Sequence, residues 1–181
     1  MTSSQEQAYD TPSGATASQA ASATAAASAS APATPIQASL NCGVVGNCAF
    51  NALIDQAGQV VWSCLPRFDG DPVFNSLLDA TENGSVWAID IENFARSEQF
   101  YEPNTAVLRT RLYDTQGRGV EITDFAPRFL SRDRMFRPLM LIRRVRPLDH
   151  AVRIRVRLRP RYDWGRLAPQ MFAGAGYAVL L

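Results

Sequence analysis

Residues 60–78 read VVWSCLPRFDGDPVFNSLL. Val60, Val61 and Trp62 form a short apolar run with the β-branched and aromatic content of a buried strand. Leu65-Pro66 closes that run, and Arg67-Phe68-Asp69-Gly70 follows as a polar elbow. Asp71-Pro72 then predicts the start of a short apolar helix. Proline at the first helical position gives up no needed donor, and an aspartate before it can cap the free amides. A loop held between two packed elements keeps its side chains in fixed positions, so Arg67, Phe68 and Asp69 are the first candidates for a functional contact. Asp69 and Asp71 look superficially like an acid pair. Their places around Gly70 explain them as turn former and helix cap, and no second convergent acid accompanies them.

On either side the pattern is one of strands and tight turns. CAFNALID (48–55) and QVVWSC (59–64) flank Gln56-Ala57-Gly58, where glycine supplies the backbone angle that a short hairpin turn needs. Glu82-Asn83-Gly84 reads as a turn into SVWAIDI, with Val86, Ala88 and Asp90 on one face and Trp87, Ile89 and Ile91 on the other. The tryptophan side is expected to be the core side. A second hairpin is expected from Ala106–Tyr113 and Val120–Phe125 across Thr115–Gly119. A third is expected from Pro138–Val145 and Ala151–Leu158 across Pro147-Leu148-Asp149-His150. In that last strand Val152, Ile154, Val156 and Leu158 alternate with Arg153, Arg155, Arg157 and Arg159, which predicts a core face backed by a ladder of guanidinium groups. Regular short strands without a long amphipathic helical pattern argue for an all-β, antiparallel β-sandwich with one short helix after the Pro66–Asp71 elbow.

The first 38 residues differ in kind. They are mostly Ala, Ser, Thr and Pro, carry only Glu6 and Asp10 as charges, and hold too little large apolar surface to offset chain entropy. We read residues 1–38 as a disordered low-complexity leader and 39–181 as the sandwich domain. The leader lacks the basic start and leucine-rich middle of a signal peptide, and no run reaches the length of a bilayer span. The expectation is a soluble, cytoplasmic chain with no membrane partner. The run QMFAGAGYAVLL (170–181) ends on apolar residues, which suggests a domain truncated at its C-terminal end.

Three cysteines, Cys42, Cys48 and Cys64, have no paired CxxC spacing, and His150 is the single histidine. Reduced thiols are expected, with no metal site, no disulfide framework and no cofactor. His150 lies in a loop with no second ligand and is assigned no chemistry. Asn83-Gly84-Ser85 matches the glycosylation acceptor pattern but reads as a turn in the absence of a secretory signal.

The net charge of +1 conceals an internal division. Residues 41–127 hold twelve acids and five arginines, whereas residues 128–181 hold thirteen arginines and three acids. Lysine is absent, so every side-chain cation outside histidine is a planar guanidinium suited to bidentate carboxylate pairing. The basic end can pair with the acidic middle. The arginine ladder also invites a nucleic-acid reading, but no stacking aromatics interleave with it and acids in the same chain can satisfy it, so no nucleic-acid partner is expected. Tyr162-Asp163-Trp164-Gly165 sets two aromatics around an acid. Tyr162 and Trp164 could stack on a sugar ring, or simply pack at a core edge.

Four segments, GNCAFNALIDQAGQVVWSCLPRFDGDPVF (46–74), YEPNTAVLRTRLYDTQGRGVEITDFAPR (101–128), RPLMLIRRVRPL (137–148) and RVRLRPRYDWG (155–165), occur in an order that resembles a known family. That family is the N-terminal β-sandwich, or trehalase-like N-terminal domain, of bacterial glycoside hydrolase family 15 proteins, the glucoamylase-like and trehalase-like enzymes. The resemblance spans about residues 40–165 and implies a supersandwich-like fold leading into an (α/α)6 barrel. That barrel would hydrolyse α-glucosidic bonds with inversion, using two glutamates roughly 6.5 to 9.5 Å apart. No position of this sequence matches either glutamate. The resemblance thus implies a non-catalytic accessory domain, inactive alone, whose partners are the barrel of the same protein and, through it, an α-glucoside. Arg67, Phe68 and Asp69 would then meet the barrel near its substrate entrance. Two other readings stand beside this one: a free-standing carbohydrate-binding module using Phe68 and Trp164, and an arginine-rich interaction protein.

Overall fold

The structure, a computed structural model, describes residues 39–81 and 84–180. The leader, the Glu82-Asn83 half of the expected turn and the acceptor asparagine lie outside the described residues.

In chain order the strands are β1 (Gly43–Gly46), β2 (Asn51–Ile54), β3 (Val60–Cys64), β4 (Pro72–Phe74) and β5 (Val86–Ile91). There follow β6 (Phe94–Tyr101), β7 (Leu108–Asp114), β8 (Gly119–Phe125), β9 (Phe129–Ser131) and β10 (Arg134–Phe136). The last four are β11 (Ile142–Pro147), β12 (Ile154–Arg159), β13 (Met171–Gly174) and β14 (Tyr177–Leu180). All pairings are antiparallel. The first sheet runs β1-β2-β3-β5-β12 with β4 added to β3, and the second runs β11-β8-β7-β6. β9–β10 and β13–β14 are separate two-stranded ribbons.

The two larger sheets share their core. Val45, Ala52, Ile54 and Val60 of the first sheet pack with Leu108 of the second, and Ile89 and Ile91 pack with Leu112, Val120 and Ile122. Trp87 joins this interior, so the tryptophan side of β5 is the core side as the alternation suggests. The β2–β3 and β7–β8 hairpins form where the turn chemistry places them. Gly58 has φ +73°, which glycine adopts without penalty, and a Cβ there would stand 3.0 Å from Ile122 Cδ1 of the opposite sheet.

Two expectations are overturned. The helix after the elbow does not form: Pro72–Phe74 is strand β4, paired to Ser63 and Cys64, and its N–H-free proline sits at the strand's first residue. Val73 and Phe74 favour extended backbone, and only a single turn follows, closed by Leu78 and Asp79 amides on Asn75 O at 2.9 and 3.2 Å. The third hairpin is also absent. β11 pairs with β8, from Ile142↔Phe125 to Pro147↔Val120, while β12 pairs with β5, from Ile154↔Ile91 to Arg159↔Val86. The Pro147–His150 loop therefore carries the chain from one sheet to the other. Alternation identified both strands but says nothing about which partner each takes.

A third correction concerns the burial of β12. Ile154, Val156 and Leu158 face the same side as Ile91, Ile89 and Trp87, but on this edge strand they stay exposed, Val156 to 59%, and the arginines between them are the more buried set. On the opposite face Arg157 binds buried Asp90 with both nitrogens, at 2.5 and 2.9 Å. Ion pairs that link the basic end to the acidic middle include Arg143–Asp124, Arg146–Glu121, Arg153–Glu92 and Arg157–Asp90.

Candidate functional site

The elbow is built by its own residues. Gly70 N donates to Arg67 O at 3.1 Å, closing a turn between the end of β3 and the start of β4. Arg67 grips Asp69 through Nε and Nη2, at 2.8 and 2.7 Å, and Phe68 between them is 65% exposed. The hydrogen bond from Arg67 holds the Asp69 carboxyl below the usual carboxylate range, and the same bond raises the guanidinium. An ionised, paired aspartate is no proton donor near neutral pH. The elbow presents an exposed aromatic side chain beside a charge-neutral fork.

The second candidate stretch forms a compact loop. Tyr162 and Leu167 exchange backbone hydrogen bonds at 2.9 and 3.1 Å. Between them Asp163, Trp164 and Gly165 have φ of +48°, +55° and +91°. For residues with a Cβ that region costs about 1–2 kcal/mol each, and tryptophan is an unusual occupant. The outcome is an indole that is 52% exposed while it packs against Trp62 of β3, ring centres 6.4 Å apart and planes tilted by 56°. Trp62 thus ties this loop to the same strand that feeds the elbow. Beside the indole lies a cleft of about 290 Å³ lined by Asn75, Asp79, Ser85, Arg161, Trp164 and Gly165, among others. Tyr162 does not line it, and its hydroxyl instead donates to Leu180 O at 3.5 Å. The two aromatics read together in the sequence are therefore separated in role.

Asn75, Asp79 and Arg161 are the residues that sequence reading did not single out. Asn75 is buried, with Ser85 Oγ donating to its Oδ1 and accepting from its backbone N at 2.7 Å. Asp79 Oδ1 accepts from Thr81 N at 3.1 Å. The strand β4, read as helix, hid the first two, because it brings the Asn75–Asp79 turn alongside β3. Arg161 borders the YDWG segment and could have been flagged by that adjacency alone.

The interior carries charge of a different kind. Arg143 and Asp124 are both within 1% of full burial between the sheets, paired at 2.8 and 3.2 Å. Arg143 also donates to Trp87 O at 2.8 Å and to Gly58 O, bolting the second sheet to the first. Burial pushes the Asp124 carboxyl up, and Arg143 opposes it. On the outer face of the second sheet Glu121 is fully covered by Arg109, Arg111 and Arg146, whose nitrogens lie 2.8–3.1 Å from its oxygens. Burial alone would raise it, but the hydrogen bonds from Arg111 and Arg146 prevail and hold it low. Each of these carboxyls has a structural partner, and none stands in an open cleft.

A family model described as trehalase-like, N-terminal, matches residues 18–177. Among curated proteins, the trehalase of Thermoplasma volcanium is 31% identical over 87 residues and trehalase 1 of Sulfolobus acidocaldarius is 38% identical over 87 residues. Each match covers 47% of this chain and 14% of the relative, so the chain corresponds to a small part of the curated relatives it matches. No solved structure matches it. The family match takes in both large sheets, the elbow and the Trp164 loop, and on that evidence the chain belongs to the trehalase-like N-terminal domain family.

Proposed function

We propose that this chain is the non-catalytic N-terminal accessory domain of a family 15 glycoside hydrolase, packed on an (α/α)6 barrel in the same protein that hydrolyses an α-glucoside. The observation that carries this reading is the family match over residues 18–177 combined with relatives named trehalase, of which the matched stretch is 14%. The site geometry supports it from the other side. Neither surface candidate offers a pair of facing carboxyls with room for water, which inversion requires. Arg67, Phe68 and Asp69 are, in this reading, the contact with the barrel near its substrate entrance, where the exposed Phe68 shields the entrance from water.

The reading of an arginine-rich polyanion binder is set aside. The β12 arginines are half-buried or exposed at the edge, and Arg157 is spent on Asp90. Three cysteines without disulfides fit a reducing compartment, and we place the protein in the cytoplasm.

Glucose release from trehalose and from maltose by the purified 181-residue chain tests the reading directly. The expected rate equals that of buffer, and release that saturates with substrate would overturn a non-catalytic role. In a polypeptide that also carries the barrel, Arg67→Ala with Phe68→Ala is expected to lower kcat/KM about tenfold, with the melting temperature unchanged. Activity equal to that of the parent removes the elbow from the entrance.

A further inference from the structure

We infer that the cleft beside Trp164 is a binding subsite for a single pyranose unit of an α-glucoside, on the accessory domain itself. Trp164 is held in place twice, by a left-handed backbone at Asp163, Trp164 and Gly165 and by packing on Trp62. Backbone in that region persists only where the surroundings over-determine it, and such residues gather at ligand sites. Here the indole stays half in solvent although tryptophan is among the side chains that gain most from burial. A rigid, half-open indole is the surface on which the apolar C–H face of a sugar ring rests.

The polar groups around the ring narrow the ligand class. Arg161, half-buried, lines the cleft and pairs with no carboxylate among the described residues. Asp79 supplies an acceptor, since among the described residues only its Oδ1 is engaged, by Thr81 N. Asn75 has its Oδ1 bound by Ser85, which leaves its amide nitrogen as a donor. Gly165 keeps that nitrogen open: a Cβ there would stand 3.0 Å from Asn75 Nδ2. Donors and an acceptor thus flank an apolar platform. Arg166 also lines the cleft and is paired to Asp163 at 3.5 Å, so the charges of Arg161 and Arg166 are balanced by Asp79 and Asp163 and favour neither anion nor cation, whereas sugar hydroxyls both donate and accept and can satisfy the whole set. The volume, about 290 Å³, is at the small end for ligand sites and suits one ring, not a chain of them. The cleft chemistry selects a neutral polyol, and the choice of an α-glucoside among polyols rests on the proposed glycoside hydrolase role.

Titration of the 181-residue chain with trehalose and with maltotetraose, followed by tryptophan fluorescence, tests the assignment. A saturable change with a dissociation constant of order 1 mM is expected for either sugar. Trp164→Ala is expected to weaken it at least about tenfold and Trp164→Phe only about threefold, because the smaller ring still stacks. Since Trp164→Ala also removes packing on Trp62, Arg161→Gln serves as the second variant: about fivefold weaker binding with an unchanged melting temperature is expected. No saturable response up to roughly 100 mM sugar by a chain that melts cooperatively overturns the subsite. Unchanged affinity in Arg161→Gln together with Trp164→Ala does the same. Equal affinity for cellotetraose overturns the α-glucosidic assignment. Failure of the accessory-domain reading is a separate result, seen as sugar cleavage by the chain itself.

Discussion

Asp55 ends the β2 side of the first hairpin, and its carboxyl is pushed up to about 6. Burial is the main cause, amides of Gln59 and Ala57 and the charge of Arg143 oppose it, and Asp90 adds to it. With a folded value above the ordinary aspartate value, the favourable contribution is complete below about pH 4 and is lost as pH rises through about 6. At pH 7.5 the folded chain carries an ionised carboxylate that burial penalises, a cost of about 3 kcal/mol for a shift of that size. Asp55→Asn keeps an oxygen to accept from Gln59 N, which lies 2.8 Å from Oδ1, and removes the ionisation. The variant is expected to melt several degrees above the parent at pH 7.5 and to lose that advantage at pH 4, as thermal melts at the two pH values would show. Nothing in ALIDQAGQ distinguishes Asp55 from an ordinary turn aspartate. The charges that act on it come from Arg143, 88 residues later, and from Asp90, neither of which local pattern can place beside it. Arg67 and Asp69, by contrast, pair across one intervening residue, so their sequence spacing already contained the contact.

At the level of strands, the parts that were readable are those closed by short turns. Gly58 and the Thr115–Gly119 turn specify β2–β3 and β7–β8 because a few residues fix both ends. β11 and β12 were visible as strands and mispaired as a hairpin, because their true partners, β8 and β5, are distant in the chain. β1, β6 and the β9–β10 ribbon carry weaker alternation that does not single them out as strands, and the apolar run at 170–181 reads as strand-like without revealing its β13–β14 hairpin. On the face of β5 away from the second sheet, Arg157 of β12 pairs with Asp90, which makes that pair a test of the arrangement. Asp90→Ala leaves Arg157 without its partner in a mostly buried site, a change expected to cost about 3 kcal/mol and to release β12 from β5. Chemical denaturation should report the loss, and amide exchange should quicken at Ile154–Arg159 before it does at β7. Replacing both residues, Asp90→Leu with Arg157→Met, is expected to recover most of the loss, since no charge is then left buried.

Across the molecule, positive charge is carried by guanidinium groups, which do not titrate in any ordinary buffer, while the acids that meet them do. Glu121 and Asp114 are held below their usual values against the opposing push of burial, by Arg111 and Arg146 and by Arg118 respectively. Groups with depressed folded values contribute stability above the ordinary carboxylate range and lose it as pH falls through the folded value. The expected melting profile is asymmetric: a steep fall below about pH 4 and only a shallow loss above about pH 8, where the guanidinium groups stay charged and the loss comes from Cys42 and Cys64, whose thiols burial pushes up. A calorimetric pH series would show this, and an alkaline collapse as early as the acid one would contradict it. The sandwich itself was legible from strand spacing and composition, whereas the cleft at Trp164 was legible only in its aromatic half, because Asn75 and Asp79 arrive there on a strand that local signals drew as helix.

The placement of β12 next to β5 has a kinetic consequence. The first sheet is left open while more than sixty residues of intervening chain build the second, and only then can Ile154–Arg159 dock on Val86–Ile91. Such late, non-local closure slows folding into the millisecond-to-second range for domains of this type. Until it happens, the β5 edge stays open to strands from neighbouring nascent chains, so yield should improve when synthesis is slow and dilute.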